Sequence, residues 1–183
     1  MKKFNLQLFA DDAAAKTAVD GKSIVYLFRV LSKAAINDAV AMAFTTENER
    51  SVSKDSDSVV TKDGAIVIPG EAEIEISATA LLVKGDSLAD ELEDALLNND
   101  VIEIWEVNLE SPATETDNAG KFNGRYYQGY LTEFTLSSSA EDHAEYECTF
   151  AINGTGKKGL VTVTKEQQEI ASYVFKDTQK TGA

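Results

Sequence analysis

Seven residues, Asn153-Gly154-Thr155-Gly156-Lys157-Lys158-Gly159, contain a G-x-G-x-x-G spacing and, within it, an Asn-x-Thr acceptor sequence. The first pattern is the chemistry of pyrophosphate binding, in which backbone amides at a strand-to-helix turn cradle the anion. The segments on both sides of this run, "EYECTFAI" and "LVTVT", read as strands, so the glycines join strand to strand and no helix N-terminus is offered. Positive-φ turn chemistry at Gly154 and Gly156 is the better account, and a hairpin is expected here. The acceptor sequence requires a secretory route. The N-terminal "MKKFNLQLFADDAAA" imitates a signal peptide, but Asn5 and Gln7 break its apolar patch and Asp11 and Asp12 precede the small residues.

The remaining reactive types are sparse. His143, the single histidine, has no second nitrogen or thiolate ligand near it in sequence. "DSDSVVTKDG" from Asp55 carries carboxylates without the spacing or the terminal bidentate Glu of a calcium loop. Cys148, the single cysteine, alternates with Tyr146 and Phe150 and reads as a small core residue. No serine or cysteine stands beside an activating base, and no pair among the 31 acidic residues is singled out. The sequence predicts no enzyme, no metal site and no cofactor.

Charge narrows the partners. Seventeen basic against 31 acidic residues give −14, the wrong sign for adhesion to nucleic acid through counterion release. No apolar run approaches the ~20 residues of a membrane span. A lone cysteine suits a reducing compartment.

The elements that must carry these residues are mostly strands. "SIVYLFRV" over residues 23–30 is β-branched and aromatic, and "VAMAFT" over 40–45 is a second expected strand. Residues 46–64 are polar and dense in turn formers, predicting a long exposed loop or hairpin extension. In "EIEISATALLV", Ile74, Ile76, Ala78, Ala80 and Leu82 alternate with Glu73, Glu75, Ser77 and Thr79, which defines a strand with one wet face. The period then changes. Leu88, Leu92 and Leu96 recur at i, i+4 and i+8 and predict a helix over 87–98, with Ser87 as its N-cap and Asn98 or Asn99 as its stop. Strands resume over "VIEIWEVNL" and "RYYQGYLTEFTL", with Trp105 expected in the core. After "LVTVT", Thr164 caps a short helix. At 183 residues this is one domain, with an N-terminal arm over 1–20 and a tail over 175–183. The expected fold is mainly β: an antiparallel sandwich or barrel-like sheet with one principal flanking helix.

Taken in order, "MKKFNLQLFA", "GKSIVYLFR", "TKDGAIVIPG", "IEIWEVN", "GRYYQGYLTEF" and "AEDHAEYECTFAINGTGKKG" resemble the major tail proteins, or tail tube proteins, of long-tailed, siphovirus-type phages of Gram-positive bacteria. The resemblance runs over nearly the whole chain. It implies a virion protein, assembled in the host cytoplasm, whose hexameric rings stack into a tube through which DNA passes without specific binding. It also implies contacts with the tape measure and other tail proteins. On that reading the wet face of Glu73, Glu75, Ser77 and Thr79 lines the channel, and Glu47, Glu49, Arg50, Lys54, Asp55 and Asp57 of the 46–64 segment lie between rings. The alternative is a carbohydrate-binding or adhesion β-sandwich, with Trp105 and the tyrosines of "RYYQGY" stacking on sugars.

Overall fold

The computed structural model describes residues 18–114, 118–164 and 167. Seven strands and one α-helix follow in the order β1 (Ile24–Val30), β2 (Thr45–Thr61), β3 (Gly64–Leu81), α1 (Ser87–Asn98), β4 (Ile102–Pro112), β5 (Lys121–Ser137), β6 (Glu145–Ile152) and β7 (Lys157–Thr162). The seven strands belong to one antiparallel sheet of order β1-β4-β5-β6-β3-β2, with β7 added to β5.

The sheet is rolled until its ends face each other. Phe28 of β1 stacks on Phe150 of β6 at 5.2 Å between ring centres, although neither strand neighbours the other. Arg50 of β2, at one edge, reaches Glu106 of β4, near the opposite edge, at 2.6 Å. Between the facing halves lie Ile74, Ile76, Ala78 and Ala80 of β3, Tyr146, Cys148 and Phe150 of β6, and Ile102 and Ile104 of β4, all buried. This is the alternation the sequence predicts for β3 and β6, with one face dry and one wet, except at Leu82, which follows the end of β3 and is exposed.

α1 packs on β5 and β1 and buries Leu88, Ala89, Leu92 and Ala95, while Leu96 is partly buried. Its N-cap is Asp86, whose Oδ1 accepts from the Leu88 amide at 2.9 Å, and not Ser87. A carboxylate there also answers the positive end of the helix dipole. Asn99 ends the helix in the left-handed region (φ 57°), and the Asp100 amide closes back on the Ala95 carbonyl.

Three other expectations need correction. The expected strand over 40–45 is reduced to one bridge between Val40 and Phe28, and β2 begins at Thr45. Trp105 is half-buried on the outer face of β4, because Ile102 and Ile104 take the inward positions. The "NGTGKKG" run does not reverse the chain. β6 and β7 both run antiparallel to β5, end to end along its 17 residues, so the run is an interruption in one line of strand. Gly154 and Gly156 do have positive φ, 69° and 67°. At Gly156 a Cβ would also run into the Tyr127 ring, which lies against that backbone.

The N-terminal arm up to residue 17 and the 175–183 tail lie outside the described residues, as does most of the expected C-terminal helix. Its cap is visible: the Thr164 amide donates to Gln167 Oε1 and the Gln167 amide to Thr164 Oγ1, a reciprocal capping box.

Candidate functional site

Directly opposed residues of paired strands share a face, so the register maps the wet side of the sheet. Glu73, Glu75, Ser77 and Thr79 of β3 stand opposite Ser53, Ser51, Glu49 and Glu47 of β2. On the other side of β3, Ala151, Thr149 and Glu147 of β6 stand opposite Glu75, Ser77 and Thr79, and Glu145 stands opposite Leu81. Thr149 in turn faces Glu133 of β5. Glu73 and Glu75 are exposed and Ser77 and Thr79 half-buried, as their spacing predicts.

The face is therefore wider than β3. Glu47, Glu49, Glu73 and Glu75 are joined by Glu133, Glu145 and Glu147, all exposed, and no Lys or Arg occupies a position paired with them across β2, β3, β6 and the β6-paired part of β5; Lys157 of β7, opposite Tyr126, lies on the same side farther along β5. None of these carboxylates takes part in the ion pairs found among the described residues.

Residues 46–64 form a hairpin, the second of the two forms expected for them. β6 ends at Ile152, level with Ile74, and β7 continues along β5, so Gly64–Ile74 of β3 pairs with β2 alone. The distal half projects beyond the sheet. Val59, Val60, Ile66, Val67 and Ile68 are all exposed on it, Val60 to 83%. The six residues placed between rings by sequence thus separate into three groups. Glu47 and Glu49 lie on the acidic face at the base. Arg50 points to the opposite side, where its Nε bonds Glu106, which also accepts from the Tyr127 hydroxyl at 3.1 Å. Lys54, Asp55 and Asp57 are exposed on the projecting part. Sequence reasoning missed the bare apolar faces of the arm, although the run Ala65-Ile66-Val67-Ile68 beside Val59-Val60 was their signal.

A second polar cluster lies on the outside of β1, β4 and β5. Glu103, the only buried charged residue described, accepts on one oxygen from Arg29 (2.7 and 2.8 Å) and on the other from the Tyr126 hydroxyl (2.7 Å). Gln128 donates to the same hydroxyl, and the Arg29 guanidinium sits 5.1 Å from the Trp105 ring centre. Burial, then the Glu103 carboxylate, raises the Tyr126 pKa. Trp105 packs on Tyr126 at 5.3 Å and Tyr127 is buried, which leaves Tyr130, 40% exposed, as the one exposed tyrosine of "RYYQGY". Cys148 is fully buried and its thiol is pushed up to about 12, first by burial and then by Glu147.

The chain matches a family model described as phage tail tube protein over residues 18–158. A putative tail protein of Staphylococcus phage phiMR25 is 36% identical over 149 residues, covering 80% of this chain and 77% of that one. Among solved structures, the SPP1 tail tube superposes with a TM-score of 0.68 at 20% identity, over 91% of this chain and 95% of that chain. The tail of a gene transfer agent particle, refined with C6 symmetry, gives 0.57 at 14% identity over 80% and 100%. At such identities these two likenesses speak for the fold. With the family model spanning most of the chain and a tail protein relative above one third identity, the chain belongs to the phage tail tube protein family and is a structural component of the virion.

Proposed function

We propose that this chain closes into rings of six that stack into the tail tube, with the acidic face of β2, β3, β6 and β5 turned to the channel and the β2–β3 hairpin reaching the adjacent ring. The observation that carries the orientation is the array of seven exposed glutamates without a basic residue among them. Duplex DNA carries one charge per ~1.7 Å of axis, so a basic wall would hold it at many points, while an acidic wall leaves it free to slide. Repulsion acts within a Debye length of ~8 Å, which restricts it to close approach. Ring closure also gives the two edge strands, β1 and β2, a neighbour, and unpaired edges are otherwise a hazard. Glu73, Glu75, Ser77 and Thr79 line the channel in this reading, joined by Glu47 and Glu49. Lys54, Asp55 and Asp57 lie between rings. DNA passes without specific binding, the tape measure protein and other tail proteins are the further partners, and the role is structural, without catalysis.

Glu73→Lys with Glu75→Lys tests the orientation. Tubes should still form under the electron microscope, while genome ejection slows and recovers as salt rises. Unchanged ejection, or a tube map with this face outside, would overturn it. Replacing residues 57–68 by an Asn-Gly turn should leave a folded protomer that no longer elongates; normal tubes from it would remove the hairpin from the inter-ring contact.

A further inference from the structure

A cleft beside α1 belongs neither to the acidic face nor to the hairpin. It lies between the first turns of α1 and the loop that follows β1, encloses about 290 Å³, and its apolar lining is Phe28, Val30, Ile36, Val40 and Leu88. Phe28, Val30 and Leu88 are buried, but on the loop side Ile36 is 81% and Val40 43% exposed. The loop has a task in the fold. β1 is an edge strand, and its edge is closed at Phe28, where Phe28 and Val40 exchange backbone hydrogen bonds of 2.8 and 3.0 Å. One bridge holds this closure, and its apolar side chains lack a cover among the described residues.

The chain's own C-terminal segment begins at this loop. Gln167 is helical, and its side-chain amide is used at both ends: Oε1 accepts from the Thr164 amide within the capping box, and Nε2 donates to the Ala39 carbonyl at 2.9 Å. The cap sets where a helix starts, and the bond to Ala39 sets which side of it meets the loop. In a helix continuing from this cap, Ile170, Ala171 and Val174 stand three, four and seven residues after Gln167 and share its face. Lys165, Glu169, Ser172 and Lys176 fall on the opposite face. The stripe of apolar residues and the one residue already seated on the loop are therefore on the same side.

We propose that residues 165–175 form an amphipathic helix that docks on the loop of the same subunit, with Ile170, Ala171 and Val174 covering Ile36 and Val40 at the mouth of the cleft. The helix clamps the 34–40 loop over the β1 edge and so guards an open strand edge in the single protomer, where unprotected edges invite uncontrolled pairing. The occupant is the chain's own segment because Thr164 and Gln167 are bonded to each other and Gln167 to Ala39 within one subunit. The docking concerns the protomer alone and does not depend on the ring and tube reading.

Hydrogen exchange of the unassembled full-length protein, read by mass spectrometry, tests it. Isolated helices below ~12–15 residues are marginal in water, so slow exchange in this segment reports the seat and not the cap alone. Amides of residues 169–175 should exchange at least about tenfold slower than in an unstructured chain. Ile170→Asp should abolish that protection and speed exchange over 34–40 several-fold while β6 stays unchanged, and Ser172→Asp, on the opposite face, should do neither. Val174→Ala, a milder change at the same face, should lower the protection of 169–175 without altering β6. Exchange of 169–175 at the unstructured rate, protection that appears only after assembly, equal responses to Ile170→Asp and Ser172→Asp, or indifference to Val174→Ala would each overturn the inference, and none of these results would touch the tube reading.

Discussion

Removing Glu103 should be among the most damaging single changes outside the apolar core. Its side chain is 8% exposed and that of Arg29 20%, so Glu103→Ala leaves a largely desolvated guanidinium without its carboxylate and strands the Tyr126 hydroxyl as well. Breaking a buried pair by deleting one partner costs about 3–5 kcal/mol. The lower end applies, because Arg29 keeps the Asn37 carbonyl at 3.2 Å, the Trp105 face and some water. With a urea slope of about 2 kcal/mol per molar, a loss of about 3 kcal/mol lowers the unfolding midpoint by about 1.5 M. Equilibrium urea unfolding of the unassembled protomer, followed by Trp105 fluorescence and by circular dichroism, measures it. Replacing both charges, as Arg29→Met with Glu103→Met, leaves neither ion stranded and should recover most of the loss. A midpoint within about 0.3 M of the parent for Glu103→Ala would refute the reasoning and show that the pair is solvated.

Leu92, with no exposed surface, should lose about 2–5 kcal/mol on truncation to Ala, while Leu97 on the same helix, 72% exposed, should change by less than about 0.5 kcal/mol; thermal unfolding of the two variants separates them. The Cys148 thiol should resist alkylation in the native protein at pH 8 and react on unfolding. Its folded pKa of about 12 lies above the ordinary 9.0, so the folded state holds the proton longer, and stability should fall as pH rises from about 9 towards 12; urea midpoints taken along that range should decline, and a Cys148→Ala chain should decline less. Gly156→Ala meets both a positive φ and the Tyr127 ring, and should lower the melting temperature by several degrees, with an unchanged value counting against the close approach.

What could be read from the sequence was what periodicity encodes. β3 declares its two faces through unbroken alternation from Glu73 to Ala80, and α1 declares its buried stripe through Leu88, Leu92 and Leu96. Trp105 was misplaced because size and hydrophobicity do not tell a strand residue which way to point. Parity does: with Ile102 and Ile104 inward, Glu103 and Trp105 must both face out, and the buried pair with Arg29 follows from that. The "NGTGKKG" run was misread for another reason. Its glycines encode positive φ, but whether the chain reverses or resumes its line depends on the partner, and β5 is long enough to hold β6 and β7 in succession. Arg50 was placed with its charged neighbours, yet its partner Glu106 is 56 residues away and faces it only because the sheet rolls.

The acidic face raises a question of its own stability, since seven unneutralised carboxylates repel one another in the protomer before any ring forms. The register shows how the sheet limits this. Across the strands one row reads Glu47, Thr79, Glu147, Thr135, and the next reads Glu49, Ser77, Thr149, Glu133. Glu75 lies between Ser51 and Ala151, and Glu73 opposite Ser53. In no row do two glutamates stand directly opposed, the arrangement in which like charges destabilise a pair of strands most. Carboxylates sharing a row are at least two strands apart, ~9.5 Å, just beyond the ~8 Å screening length at physiological salt. Neighbours along a strand, such as Glu73 and Glu75, remain closer at ~6.6 Å, but both point into open solvent where the dielectric is high. Two of the three arginines, meanwhile, are engaged in the internal bridges to Glu103 and Glu106 and contribute nothing to this surface. The pairwise repulsion is thus spread thin while the charges still add in the field that an approaching polyanion meets. The proposed placement beside DNA calls for that combination, and the glutamate-bearing positions of β2, β3, β6 and the β6-paired part of β5 hold no basic residue, although Arg50, Lys54, Lys121 and Arg125 stand elsewhere on β2 and β5.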